Sequence, residues 1–100
     1  MKKTFFLTVA LAGASFAGEW TGFISDASCG AANAKATAEA KECAQRCVKG
    51  GAAPVFVTSD NKVVNIANPA KVKDLVGEKV KVTGTLHKGT LKVESIAKAD

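Results

Sequence analysis

Between positions 79 and 86 the chain reads K-V-K-V-T-G-T-L, so Val80, Val82, Gly84 and Leu86 alternate with Lys79, Lys81, Thr83 and Thr85. A period of two sends successive side chains to opposite faces of a strand, so this segment predicts a strand with one buried face and one wet face. Such a strand needs neighbours to pair with and a second layer to cover its apolar side. The neighbour follows directly. His87-Lys88-Gly89 makes a turn, and residues 90–97 return through Leu91 and Val93. Ile96 falls out of phase with those two, which predicts a bulge or an end to the pairing.

Three more segments read as strands. Residues 19–25 (E-W-T-G-F-I-S) place Trp20, Gly22 and Ile24 on one face, and Asp26-Ala27-Ser28-Cys29-Gly30 breaks the run with turn residues. Residues 54–58 (P-V-F-V-T) and 62–67 (K-V-V-N-I-A) flank Ser59-Asp60-Asn61 and form a hairpin. Between the first strand and that hairpin, residues 35–49 are rich in alanine and of high helix propensity, ending at Gly50-Gly51. Ala36, Ala40, Cys43 and Cys47 fall on one stripe of that helix, which turns both cysteines inward. Asn68-Pro69, a cap followed by a first-turn proline, opens a shorter helix through Ala70, Val72, Leu75 and Val76, stopped by Gly77.

The predicted fold is mostly β with one longer helix: five short strands with a short helix between the third and fourth, the order of an oligonucleotide/oligosaccharide-binding (OB-like) barrel, partly closed. The longer helix is an insertion after the first strand. An open α+β sheet of the same strands, with both helices on one face, is the alternative. At 100 residues, there is room for one domain and not for a two-domain enzyme or a dinucleotide-binding fold.

The N-terminus carries a different signal. Lys2 and Lys3 precede an apolar run holding Phe5, Phe6, Leu7, Val9 and Leu11, and Ser15-Phe16-Ala17 offers small residues at two positions a signal peptidase reads. Residues 1–17 are therefore expected to be a signal peptide cut before Gly18, leaving a single small β-barrel-like domain over 18–100 in the periplasm or outside the cell. The apolar run is about half the roughly 20 residues that a membrane span needs. Without residues 1–17 and their two lysines, the charge of +5 becomes +3 over 83 residues.

An oxidising compartment changes what Cys29, Cys43 and Cys47 mean. Thiols there tend to pair, and a small core gains from a crosslink. The first reading is a staple, Cys29 bonded to Cys47 or Cys43 with the other helix thiol left over. A bond between Cys43 and Cys47 is disfavoured because side chains four apart on a helix run parallel, whereas a disulfide needs a near-perpendicular twist. The second reading is a metal site or redox centre with Cys29, Cys43 and Cys47 as thiolate ligands; C-x3-C lies within the spacing of structural zinc sites. It lacks a fourth ligand, since His87, the sole histidine, sits in a distant turn. Pairing between chains is a third use of an odd cysteine. Thioredoxin-like chemistry wants C-x-x-C at a helix N-terminus, and here the pair is one residue wider and near the C-terminus.

Other sites read as structural. Lys79, Lys81, Lys88 and Lys92 share the wet face of the last hairpin, which has no aromatic residues for stacking bases, so nucleic acid is not an expected partner. Trp20 and Phe56 read as core. Asp26 before Ser28 reads as turn chemistry. No hydrolytic constellation stands out, so the expected role is a non-enzymatic binding or structural module, monomeric, with an unknown protein or small-molecule partner and no resident cofactor.

Four segments occur in a telling order: G-F-I-S-D-A-S-C-G (22–30), C-A-Q-R-C-V-K-G-G (43–51), K-V-V-N-I-A-N (62–68) and G-E-K-V-K-V-T-G-T-L (77–86). Together they give a D-x-x-C-G … C-x-x-x-C-V … G-x-x-V-x-V-x-G-x-L pattern that resembles a family of small exported bacterial proteins of unassigned function. The resemblance covers nearly the whole chain after the leader and implies the same barrel and compartment, with no activity attached. In that family a histidine often stands three residues beyond the C-G pair. Here that position is Asn33, so a metal site relying on such a histidine would lack that ligand.

Overall fold

The first strand, β1, runs from Ser15 to Asp26 in the computed structural model, which describes residues 15–99. Most of the expected leader lies outside the described residues, and its last three residues open β1. A 3-10 turn at Gly30–Asn33 leads to helix α1 at Ala38–Lys49, then to β2 (Pro54–Thr58) and β3 (Val63–Ile66). Two further 3-10 turns, Pro69–Lys71 and Lys73–Leu75, precede β4 (Lys79–His87) and β5 (Thr90–Lys98).

The strands run β1-β2-β3-β5-β4, and β4 returns to β1, so the barrel is closed and the open sheet is excluded. β1 makes the closure because it is long enough to serve two partners. Gly22–Asp26 pair with β2, while the strand from Ser15 to Phe23 pairs with β4. The β3–β5 contact is parallel and short, with only Asn65↔Thr90 and Ile66↔Leu91 in register. Side-chain amide bonds extend it: Asn68 Nδ2 donates to the Val93 carbonyl (2.7 Å), and the Val93 N–H donates to Asn68 Oδ1 (2.9 Å). Asn68 therefore does not cap the turn that follows it. The expected short helix is instead two 3-10 turns meeting at Val72.

The out-of-phase Ile96 has its cause in the β4–β5 ladder. Thr83 faces Ser95 and Gly84 faces Val93, so Glu94 is the extra residue of a bulge. Inside, Ile24, Phe56, Val72, Val80, Val82 and Leu91 are buried to within 1% of complete, and Trp20 packs on them from the rim. Gly22 makes room for the largest of these. A Cβ there would lie 2.9 Å from the Phe56 ring and closer still to the Val57 carbonyl. Lys79, Lys81, Lys88 and Lys92 are exposed, as the alternation requires. Among the described residues no helix is long and apolar enough to cross a membrane.

Helix α1 begins at Ala38, three residues later than its propensity suggested, because Thr37 caps it: Thr37 Oγ1 accepts from the Ala40 N–H at 3.1 Å. Its buried stripe is Ala40 and Ala44. Ala36 precedes the helix and is exposed, and Cys43 and Cys47 are half-buried at the flank rather than fully inward. Alanine has the small volume that lets the helix approach closely, and the sulfurs then fall to the side. Gln45 Nε2 donates to the Val76 carbonyl (3.1 Å), and Lys41 Nζ meets Glu78 Oε2 at 2.7 Å. Both contacts fasten α1 to the segment entering β4.

Candidate functional site: a thiol cluster at the end of β1

The cluster starts with Ser25 and Asp26, the last residues of β1, both with no exposed surface. Asp26 sits opposite Pro54 in the ladder, and its side-chain carboxylate turns to the following loop. Oδ2 accepts from the Cys29 N–H at 2.9 Å, and Oδ1 accepts from Asn33 Nδ2 at 2.8 Å. Ser25 Oγ donates to the Gly30 carbonyl at 2.7 Å, and Gly30 supplies the left-handed turn with φ +55°. Three side-chain bonds thus fold residues 26–33 back over the barrel end. A buried carboxylate needs its lone pairs satisfied, and this loop satisfies them.

That fold-back carries Cys29 to α1. The Cys29 thiol lies near Cys43 and Cys47, and Cys47 lies near Cys43 and Asp26, close enough for each to feel the others electrostatically. Cys29 is exposed while the helix thiols are half-buried. All three thiols are free in this structure. A cleft of about 430 Å³ adjoins the cluster, lined by Asn33, Lys35, Thr37, Glu39 and Cys43 among others.

Electrostatics favour the protonated form of Cys29 and of Cys47. The Asp26 charge, then burial, then Cys43 push the Cys29 thiol above its ordinary value. Burial, then Asp26 and Cys43, push Cys47 up to about 11. The helix C-terminus, with its partial negative charge, gives no help to a thiolate. Cys29 and Cys47 are therefore unactivated sulfurs, unlike a redox-enzyme nucleophile.

His87 pairs with Ser15 at the opposite end of β1, eleven residues from Asp26, or roughly 35 Å of strand. It is out of reach of the sulfurs. Among the described residues, no group of three or more His, Cys, Asp or Glu side chains is arranged to hold a metal ion. By sequence alone Asp26 carries only a turn role, and Asn33 carries none as a structural partner. The signal was present in D-x-x-C, the spacing at which an Asp side chain accepts from the N–H three residues on.

Residues 46–99 match a family described as a protein of unknown function, DUF5818. The chain belongs to the DUF5818 family. The DUF5818 match runs from the last turn of α1 through β5. It includes Cys47 and stops short of Cys43, Cys29 and β1. No curated protein and no solved structure matches the chain.

Proposed function

We propose that this chain is an exported, non-enzymatic binding or structural module whose barrel end is stapled by a disulfide from Cys29 to Cys47 or Cys43. The observation that carries the reading is the convergence of three thiols at a loop pinned by Asp26, Asn33 and Ser25. The leader at residues 1–17 supports export to an oxidising compartment, where such thiols pair. Cleavage before Gly18 would leave β1 paired with β4 from Gly18↔Gly84 to Phe23↔Lys79. A thiolate metal or redox site using Cys29, Cys43 and Cys47 is the competing reading. It draws on the same convergence, but the raised Cys29 and Cys47 thiols weigh against a redox role, and among the described residues no group of three or more His, Cys, Asp or Glu side chains is arranged to hold a metal ion.

The test is to express the full chain with its leader in a bacterial host and recover it from the periplasm. Intact mass, free-thiol count and elemental analysis are then measured on one sample. The expected result is a chain starting at Gly18 with one free thiol, one internal disulfide and no metal. Three reduced cysteines with a stoichiometric metal would install the competing reading. A dimer dissolved by reductant would show pairing between chains. A pull-down from the same compartment then identifies the partner.

A further inference from the structure

We infer that cleavage before Gly18 opens the edge of β4 at Thr85, Leu86 and His87 as a docking site for the C-terminal end of an extended polypeptide, which pairs with that edge and sets its terminal carboxylate against the new ammonium of Gly18. The inference rests on the export reading and adds to it the class of partner that the module binds.

The end of the chain's own leader shows what fits the edge. In the ladder between β1 and β4, Ser15 faces His87, Phe16 faces Leu86 and Ala17 faces Thr85. Removing residues 1–17 takes these three pairs away and leaves Gly18↔Gly84 as the first. β5 still holds the other side of the same stretch, through Thr85↔Lys92, Leu86↔Leu91 and His87↔Thr90. The edge therefore stays extended, and a partner strand finds it already shaped. Residues 85–87 (T-L-H) contain neither proline nor lysine, the residues that often blunt an edge. Three residues span roughly 10 Å, too short a contact for the ~1,000 Å² that a stable interface between two copies needs. A peptide end is the occupant that suits it.

Side chains and charge set the chemistry of that peptide. By the alternation of β1, Phe16 shares a face with Gly18 and Trp20, and its cross-strand neighbour Leu86 packs on the core. A Cβ at Gly18 would lie 3.3 Å from the Trp20 ring, so that ring covers Gly18 at the border of the vacated stretch. An apolar residue one place before the peptide's end thus lands on Leu86. Phe16 keeps 57% of its surface exposed, so the grip is one-sided and the binding modest. Charge comes from the cut itself. Hydrolysis of the Ala17–Gly18 peptide bond consumes one water, whose oxygen stays on Ala17 as part of a carboxylate and whose hydrogens end on the Gly18 nitrogen as an ammonium. A peptide lying antiparallel to β4 in the leader's place has its C-terminus beside that ammonium, opposite charge to opposite charge. An internal segment brings no such charge, and its chain would run on into Gly18. Pairing at an open edge and capture of a terminal carboxylate are both recurring modes of peptide recognition.

The chain is exported on its own leader, recovered from the periplasm with isotope label and titrated with the acetylated peptide G-A-S-F-A, the sequence of residues 13–17. Intact mass is read first. A chain that retains residues 1–17 removes the export reading and the inference with it. For a chain beginning at Gly18, saturable NMR shifts are expected at the backbone amides of Thr85, Leu86 and His87, with a Kd below about 1 mM. Amidating the peptide's C-terminus should weaken binding about two- to fivefold. The peptide G-A-S-A-A should bind about threefold more weakly, or worse. A second chain, exported on a host leader cut before Ser15, keeps its own strand end and should show no peptide-induced shifts at those amides. Shifts elsewhere, no saturation in that range, equal binding of acid and amide, or equal binding by the chain that keeps residues 15–17 would each overturn the inference. So would a dimer of the Gly18 chain joined at Thr85–His87, which would make a second copy the occupant.

Discussion

Asp26→Asn tests the cluster at its centre. The carboxylate accepts two hydrogen bonds, from the Cys29 N–H and from Asn33 Nδ2, and has no exposed surface on which water could substitute. An Asn side chain offers one acceptor and one donor, so it can keep either bond but turns an N–H toward the other. Leaving a buried donor unpaired costs about 2 kcal/mol. For a domain of this size that lowers Tm by roughly 8–16 °C. The charge leaves as well. At pH 8 a Cys47 thiol held at about 11 is ionised in roughly one molecule in a thousand. A full return to its ordinary 9.0 would raise alkylation about a hundredfold. Burial, the larger cause, stays in place, so the reduced variant should react faster than wild type by less than that.

The exchange Asp26→Asn with Asn33→Asp separates hydrogen bonding from a general loss of fit. The carboxamide placed at position 26 would accept from the Cys29 N–H and donate to the carboxylate placed at position 33, restoring both bonds. The Tm of this exchange variant should recover most of the loss. Calorimetry of the reduced proteins and the rate of iodoacetamide labelling at Cys47 are the measurements. A single variant with unchanged Tm and labelling rate, or an exchange variant no more stable than the single one, would refute this account of the site.

Three other expectations concern the whole domain. Oxidation should add about 3 kcal/mol to stability by closing a 15- to 19-residue loop, and Cys29→Ser should abolish that gain in paired denaturation curves run with and without reductant. Phe56→Ala, which empties the space that Gly22 leaves for the ring, should cost about 3–5 kcal/mol by urea titration. Lys41 hydrogen-bonds Glu78 and holds its carboxyl below the ordinary 4.5, so this pair stabilises the fold above pH 4.5, and the contribution fades as pH falls through the lowered value. Lys41→Gln should remove about 0.5–1 kcal/mol at pH 7 and little at pH 2.

Period-two patterning made most of the barrel legible, because a strand buried on one face has few ways to hide its register. Even the bulge at Glu94 could be read, from the phase of Ile96 alone. Helix detail was harder to read. Propensity located α1 but not its start, which Thr37 sets through one hydroxyl. It also put cysteines on the stripe that Ala40 and Ala44 occupy, since spacing alone does not reveal how close two elements approach. The thiol site was half visible. Residue type and the expected compartment singled out Cys29, Cys43 and Cys47, but Asp26 and Asn33 join them through contacts between side chains seven residues apart, and local patterning does not encode those. Asn68 shows the same limit: its sequence context signals a cap, while its carboxamide answers to Val93, 25 residues away.

The seam between β3 and β5 decides what kind of object this sheet is. Were it to part, the remaining pairings would read β3-β2-β1-β4-β5, a single curled sheet with β1 at its middle and every other ladder intact. Cylinder and ribbon thus differ by two register pairs, their flanking backbone bonds and one carboxamide. Openings confined to so short a contact belong to the low-energy end of native fluctuations, so amide exchange at Ala67 and Val93 should run well ahead of the β1–β4 ladder. With Asn68 replaced by alanine, that difference should widen while the global melting point moves far less. The molecule would then breathe along one line on its wall, exposing fresh strand edges there and nowhere else on the cylinder.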